Sequence, residues 1–162
     1  MLRMPKLVDT HTHICDESFD EDRDEVLHRA EAAGVGAIIA VSENISDARR
    51  NIELAEKHPM LRPAAGLYPT ILDLDQAEQM RAFIRKERSR LVAIGEVGLD
   101  FWVVKEAPAR ELQKETLKDF INLSNELDLP LNIHSRSAGR HAVALLLENG
   151  ASRIQMHAFD FS

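Results

Sequence analysis

Cysteine is almost missing from this chain: Cys15 stands alone among 162 residues. An intramolecular disulfide is therefore impossible, and a reducing interior is the expected setting. Aromatic side chains are scarce as well, at 5% with one tryptophan and one tyrosine, so any core has to be mainly aliphatic. Long hydrophobic runs are lacking; the longest strongly apolar stretch, Ala37 to Val41, is the length of a strand, far short of a membrane span. Nothing resembles a secretory leader, and a soluble, cytoplasmic protein with no membrane partner is expected. Positive charge is in deficit: 20 basic against 27 acidic residues leave a formal charge of −7. That excludes a grip on nucleic acid through a broad basic surface. It leaves open phosphate-ester chemistry at a metal site, where bound cations supply the local positive charge.

What the chain does have is alternation. Leu7–His11 reads as a strand, followed by a helix that Asp20 can cap, with Val26, Leu27, Ala30 and Ala33 on one face and Gly34 at its end. Ala37–Val41 has the continuous apolar pattern of a strand buried on both faces. Ser46 opens a helix carrying Ala48, Ile52 and Ala55 that stops before Pro59, and Leu61–Leu67 is a third strand. A third helix lies within Asp75–Arg88, with Ala77, Met80 and Ile84 inward; Leu91–Glu96 is the fourth strand, and a loop runs from Val97 to about Ala107. Pro108 fits the first turn of a long helix through Leu112, Leu117, Phe120, Ile121 and Leu127. Leu131–His134, a helix marked by Ala142, Leu145 and Leu146 and closed by Gly150, and a sixth strand, Arg153–His157, complete the pattern. Repeated strand–helix units imply an α/β fold with a parallel sheet. No glycine-rich phosphate loop follows the first strand, which weakens an open dinucleotide-binding sheet. The expected architecture is a (β/α)8 barrel of TIM type, a single domain over residues 1–162, incomplete at about six units against the usual eight.

The chemistry gathers at strand ends. Asp9-Thr10-His11-Thr12-His13 follows the first apolar run, and alternation along a strand puts His11 and His13 on one face. Glu96, His134 and His157 end later strands. A strand-end histidine by itself is more often a hydrogen-bonded structural residue. Five such residues in phase with the strand ends argue for a metal-dependent hydrolase, because a barrel brings those ends to one rim. The Glu96 carboxylate could bridge two ions, one held by His11 and His13 and the other by His134 and His157. A single zinc on three of these residues also fits the spacing. His28 and His141 fall on helices and His58 precedes a proline, so all three are assigned to solvent or packing. Cys15 reads as a small packed thiol. Arg136 is placed to clamp a phosphate, Asp100 to orient the loop or a ligand. Phe101 and Trp102 either stack on a base or pack the loop.

These motifs resemble the TatD family of metal-dependent deoxyribonucleases, within the amidohydrolase-like barrels. The resemblance rests on Asp9–His13, on Ile94-Gly95-Glu96-Val97-Gly98-Leu99-Asp100-Phe101, on Asn132-Ile133-His134-Ser135-Arg136 and on His157-Ala158-Phe159-Asp160. It implies that His11 and His13 bind a first metal, that Glu96 bridges, and that His134 and His157 bind a second. It also implies magnesium, zinc or manganese as the ions and DNA as the partner. Two departures stand out. Where the family has Gly-x-His-Pro after the third strand, this chain has Gly66-Leu67-Tyr68-Pro69, which puts Tyr68 at a substrate-contact position. The chain also ends before strands seven and eight, so the family's water-activating aspartate has no counterpart here. Impaired turnover and an edge-sharing dimer are expectations that follow. The alternatives are an amidohydrolase acting on a small cyclic amide or ester, and a non-catalytic metal-binding fragment.

Overall fold

The structure is a computed structural model and describes residues 7–160. Six strands form one all-parallel sheet in sequential order: β1 (Leu7–Thr12), β2 (Val35–Ala40), β3 (Leu61–Ala65), β4 (Ala93–Gly98), β5 (Leu131–His134) and β6 (Ile154–His157). Five helices connect them: α1 (Arg23–Ala32), α2 (Ile45–Lys57), α3 (Leu74–Lys86), α4 (Ala107–Leu127) and α5 (Gly139–Glu148). Sequential order with a helix after each of the first five strands is the barrel pattern. The sheet curls until its ends face each other. The Asn132 amide on β5 donates to the Thr10 carbonyl on β1 at 2.7 Å, and the His11 and His157 rings stack with centroids 3.7 Å apart. Six strands thus make a nearly closed barrel of TIM type.

The core is aliphatic, as the composition requires. Leu117, Phe120 and Ile121 of α4 join Ile94, Leu131 and Ile133 of the sheet in one fully buried cluster; each such side chain contributes about 1.5–3 kcal/mol by leaving water. Among the described residues no helix is long and apolar enough to cross a membrane.

Several boundaries differ from expectation, each for a physical reason. Asp20 does not cap α1, which starts at Arg23; its carboxylate instead takes the Arg23 guanidinium at 2.7 Å. Asn44, not Ser46, caps α2, accepting from the Asp47 amide at 3.0 Å. Ala33 is exposed, just past the end of α1. Leu91 and Val92 look like strand, yet Leu91 closes a 3-10 turn over Arg88–Arg90 and β4 begins at Ala93. β3 ends at Ala65, ahead of Leu67.

Candidate metal centre

Glu96 stands at the middle of the site, at the C-terminal end of β4 and only 1% exposed. Ser42, just beyond β2, holds its backbone and is itself held by Gly66. The Glu96 amide donates to the Ser42 carbonyl at 3.1 Å, and the Ser42 amide donates to the Gly95 carbonyl at 3.3 Å. The Ser42 hydroxyl accepts from the Gly66 amide at 2.9 Å and donates to the Gly66 carbonyl at 3.1 Å. At the last residue of the strand, Gly98 adopts φ +152°, and a Cβ there would stand 2.0 Å from the His134 carbonyl oxygen. Glycine alone lets β4 and β5 approach this closely.

Four imidazoles surround the carboxylate. His134 Nδ1 lies 2.6 Å from Glu96 Oε1, His13 Nε2 3.4 Å from Oε2, His11 Nε2 3.9 Å and His157 Nε2 4.0 Å from Oε1. Donor atoms of His11, Glu96 and His157 fall within 4.8 Å of one another, as do those of His13, Glu43 and Glu96. All five residues expected from the strand ends therefore come together. His11 also stacks on His157, and Glu43 joins His13 and Glu96 in a second candidate group. Both ring nitrogens of His134 face carboxylates, Glu96 on one side and Asp100 Oδ2 at 3.1 Å on the other.

The electrostatics follow from these contacts. Burial works against ionisation of Glu96, but the His13 and His134 imidazoles overcome it and hold the carboxyl down at about 2. Contact with Glu96 raises the pKa of His13. Burial opposes charge on His134, yet Glu96 and Asp100 together raise its pKa. Desolvation lowers the pKa of His11 and of His157. Glu96 Oε2 is buried and makes no hydrogen bond of good geometry among the described residues, its one polar contact being the ion pair with His13 Nε2 at 3.4 Å. His11 Nε2 and His13 Nε2 face each other at 3.3 Å. An orphaned carboxylate oxygen beside two converging imidazole nitrogens is the donor set a divalent cation satisfies.

Two contributors escaped the sequence reading. Asn132 accepts from His11 Nδ1 at 2.7 Å while its own amide nitrogen is committed to Thr10. The amide orientation is thereby set and leaves His11 Nε2 free for a ligand role; a lone polar residue inside an apolar strand was the available signal. Glu43, just beyond β2, lies 3.9 Å from His13 Nδ1, and burial raises its pKa. Its place past a strand end is the same signal that marked the other five.

The remaining expected residues sit around the rim. Tyr68 packs edge-on to His134 with centroids 5.1 Å apart, its hydroxyl 3.4 Å from Asp100 Oδ2; burial and Asp100 push that hydroxyl up to about 12. Asp100 is fully buried, takes the Val103 amide at 2.8 Å and so ties the loop to His134. Arg136 is exposed, its guanidinium over the Trp102 ring rather than against Glu96. Phe101 is buried and Trp102 exposed. His28 and His141 are exposed, and Cys15 is buried.

Comparison with known proteins bears on this centre. Residues 8–162 match a family described as TatD related DNase. The human protein named deoxyribonuclease TATDN3 is 40% identical over 95% of this chain, and the putative deoxyribonuclease TATDN3 of Mus musculus is 39% identical over 95%. This chain spans 61% of the human relative and 56% of the mouse relative. A metal-dependent hydrolase of Bacillus subtilis, YabD, is 35% identical over 94% of the chain and 60% of its own length. The crystal structure of YjjV, a TatD homologue from Escherichia coli, superposes with a TM-score of 0.84 at 31% identity, covering 96% of this chain and 61% of that one.

Proposed function

Because the chain belongs to the TatD-related DNase family, we propose that it is a metal-dependent hydrolase of phosphodiester bonds, with DNA as its substrate. The observation that carries this reading is the buried Glu96 carboxylate, ringed by His11, His13, His134 and His157 and left with an unsatisfied oxygen. These five residues would hold two divalent ions, magnesium, zinc or manganese, with Glu96 shared between them; Glu43 is placed to join on the His13 side. Such ions supply Lewis-acid polarisation of a phosphoryl oxygen and a water activated near neutral pH.

The chain's own groups prepare that chemistry. Asn132 presents His11 in one tautomer, and Asp100 holds His134 against rotation. The Tyr68 hydroxyl stays protonated at neutral pH and can donate to a substrate oxygen, where an imidazole would bring charge. Arg136 offers a planar fork to a phosphate. In this reading residues 1–162 act as one domain, in the cytoplasm.

The test is elemental analysis of protein purified without chelator, followed by nucleotide release from single-stranded DNA beside hydrolysis of a cyclic amide. Two divalent ions per chain are expected, with release of nucleotides that stops on chelation and in Glu96→Gln. Absence of bound metal, preference for the amide, or DNA cleavage that persists in Glu96→Gln would overturn the reading.

A further inference from the structure

At the rim of the metal centre the turn after β4 displays the only tryptophan of the chain. Trp102 is 57% exposed. Two cations lie against its ring: Lys105 Nζ is 5.0 Å from the centroid and the Arg136 guanidinium carbon 5.2 Å. Among the described residues neither cation pairs with a carboxylate. Lys105 Nζ reaches the Phe101 carbonyl at 3.4 Å, and Arg136 rests on the indole. In a chain with a formal charge of −7, two cations are held on one exposed ring.

The turn is rigid rather than frayed. Phe101 is buried beneath it, with the Arg110 guanidinium 4.4 Å from its ring centroid and donating to the Phe101 carbonyl at 3.1 Å and the Val104 carbonyl at 2.9 Å. The Phe101 amide donates to the Arg136 carbonyl at 3.0 Å, fastening this turn to the segment after β5. Trp102 follows Asp100 by two residues, and Arg136 follows His134 by two. Two residues of chain reach at most about 7 Å, and Asp100 and His134 are bonded to each other. The backbones of Trp102 and Arg136 therefore lie close to the Asp100–His134 side of the carboxylate–imidazole cluster.

We propose that Trp102 is a stacking platform for one unpaired base of a single-stranded nucleic acid, with Arg136 and Lys105 taking the adjoining backbone phosphates. The assignment rests on the phosphodiesterase reading and names the side chains that would hold one base and its flanking phosphates. An indole face accepts any base, so the platform confers little sequence preference and requires a base free of its partner. A cation resting on the indole gives up a modest interaction when it turns to a phosphate.

Since Trp102 is the sole tryptophan, its fluorescence reports on the platform alone. The experiment titrates the full chain, kept in chelator so that no hydrolysis occurs, with an oligothymidylate and with the same backbone lacking bases. Saturable quenching by the first strand is expected, with weaker binding of the abasic strand. Trp102→Ala should weaken binding about 5- to 100-fold, read by anisotropy of a labelled strand. Trp102→Phe should retain most of the affinity, and Arg136→Met should flatten its salt dependence. Unchanged fluorescence at saturation, equal affinity for the abasic strand, or no binding at all overturns the platform. If metal-loaded protein cleaves the strand while Trp102→Ala binds it normally, the platform falls and the hydrolase reading stands. Quenching with no cleavage under any metal supports the platform and removes the hydrolase reading.

Discussion

Replacing Gly66 with alanine tests whether the position of Glu96 depends on close backbone contact. A methyl group on Gly66 would stand 2.4 Å from the Glu96 carbonyl oxygen, 2.6 Å from the Gly95 carbonyl carbon and 2.7 Å from the Glu96 amide nitrogen. All three are backbone atoms, so no side chain can rotate away. Relief to ordinary contact requires β3 and β4 to part by about 1 Å. That movement stretches the Ser42 contacts to Gly66 and to the Glu96 amide. Overpacking of a rigid site costs about 1–3 kcal/mol, and the upper end applies where only backbone can yield. For a domain of this size the melting temperature should fall by roughly 5–10 °C. Displacing the carboxylate should also weaken metal binding, so Gly66→Ala should lose most of the thermal stabilisation that added zinc or manganese gives the wild type. Gly34→Ala is the control. Gly34 has φ +96° with nothing within 4 Å of a Cβ, so the substitution costs about 1 kcal/mol of backbone strain and should leave the gain from metal intact. Thermal unfolding of both variants, with chelator and with metal, decides the matter. A Gly66→Ala protein that melts like the wild type and keeps its full gain from metal refutes the reasoning.

Glu96→Gln should lower metal affinity at least about 100-fold, a loss beyond that of removing an outer partner, read as ions per chain after dialysis. Because its carboxyl sits at about 2 rather than the ordinary 4.5, Glu96 contributes stability that is complete above 4.5 and lost as pH falls toward 2. The acid-unfolding curve of the metal-free Gln variant should be flatter in that window, and an unchanged slope counts against the charge assignment. His13 and His134 hold their protons to higher pH than the ordinary 6.5. Metal binding must displace these protons, so affinity should rise with pH and the heat of binding should depend on the buffer's ionisation enthalpy; buffer-independent heats contradict this. Burial pushes the Cys15 thiol up to about 11, so a thiol reagent should react slowly with native protein near neutral pH and rapidly in denaturant. Fast native reaction would show that the segment after His13 is open.

Element type was legible because the periodicities are clean. The helical spacing of Leu117, Phe120 and Ile121 in α4 matches its buried face, and the apolar run does form β2, though Ala37 and Ile39 are only half-buried where burial on both faces is expected. Ends were less legible, since competing local contacts decide them. Leu91 looks like strand yet closes a 3-10 turn. Asp20 looks like a cap, but the buried Arg23 guanidinium claims it while also donating to the Ile14 and Asp16 carbonyls, which anchors the segment beyond His13. No periodicity encodes an arginine folding back over nine residues.

The centre itself was readable through phase. In a parallel sheet with helical returns, every strand ends on the same rim, so ligands far apart in sequence become neighbours once each closes a strand. Glu96 and His134, 38 residues apart, meet at 2.6 Å on that rule alone. The same rule applied to β2 would have found Glu43. Which of these side chains touch is a different question, because it depends on how far the sheet curls. The bond from Asn132 to Thr10 joins β5 to β1 across 122 positions and brings His157 against His11 instead of beside His134 alone. Strand phase therefore brings these residues to one rim, while barrel curvature, fastened by one buried amide, adds the contact between His11 and His157.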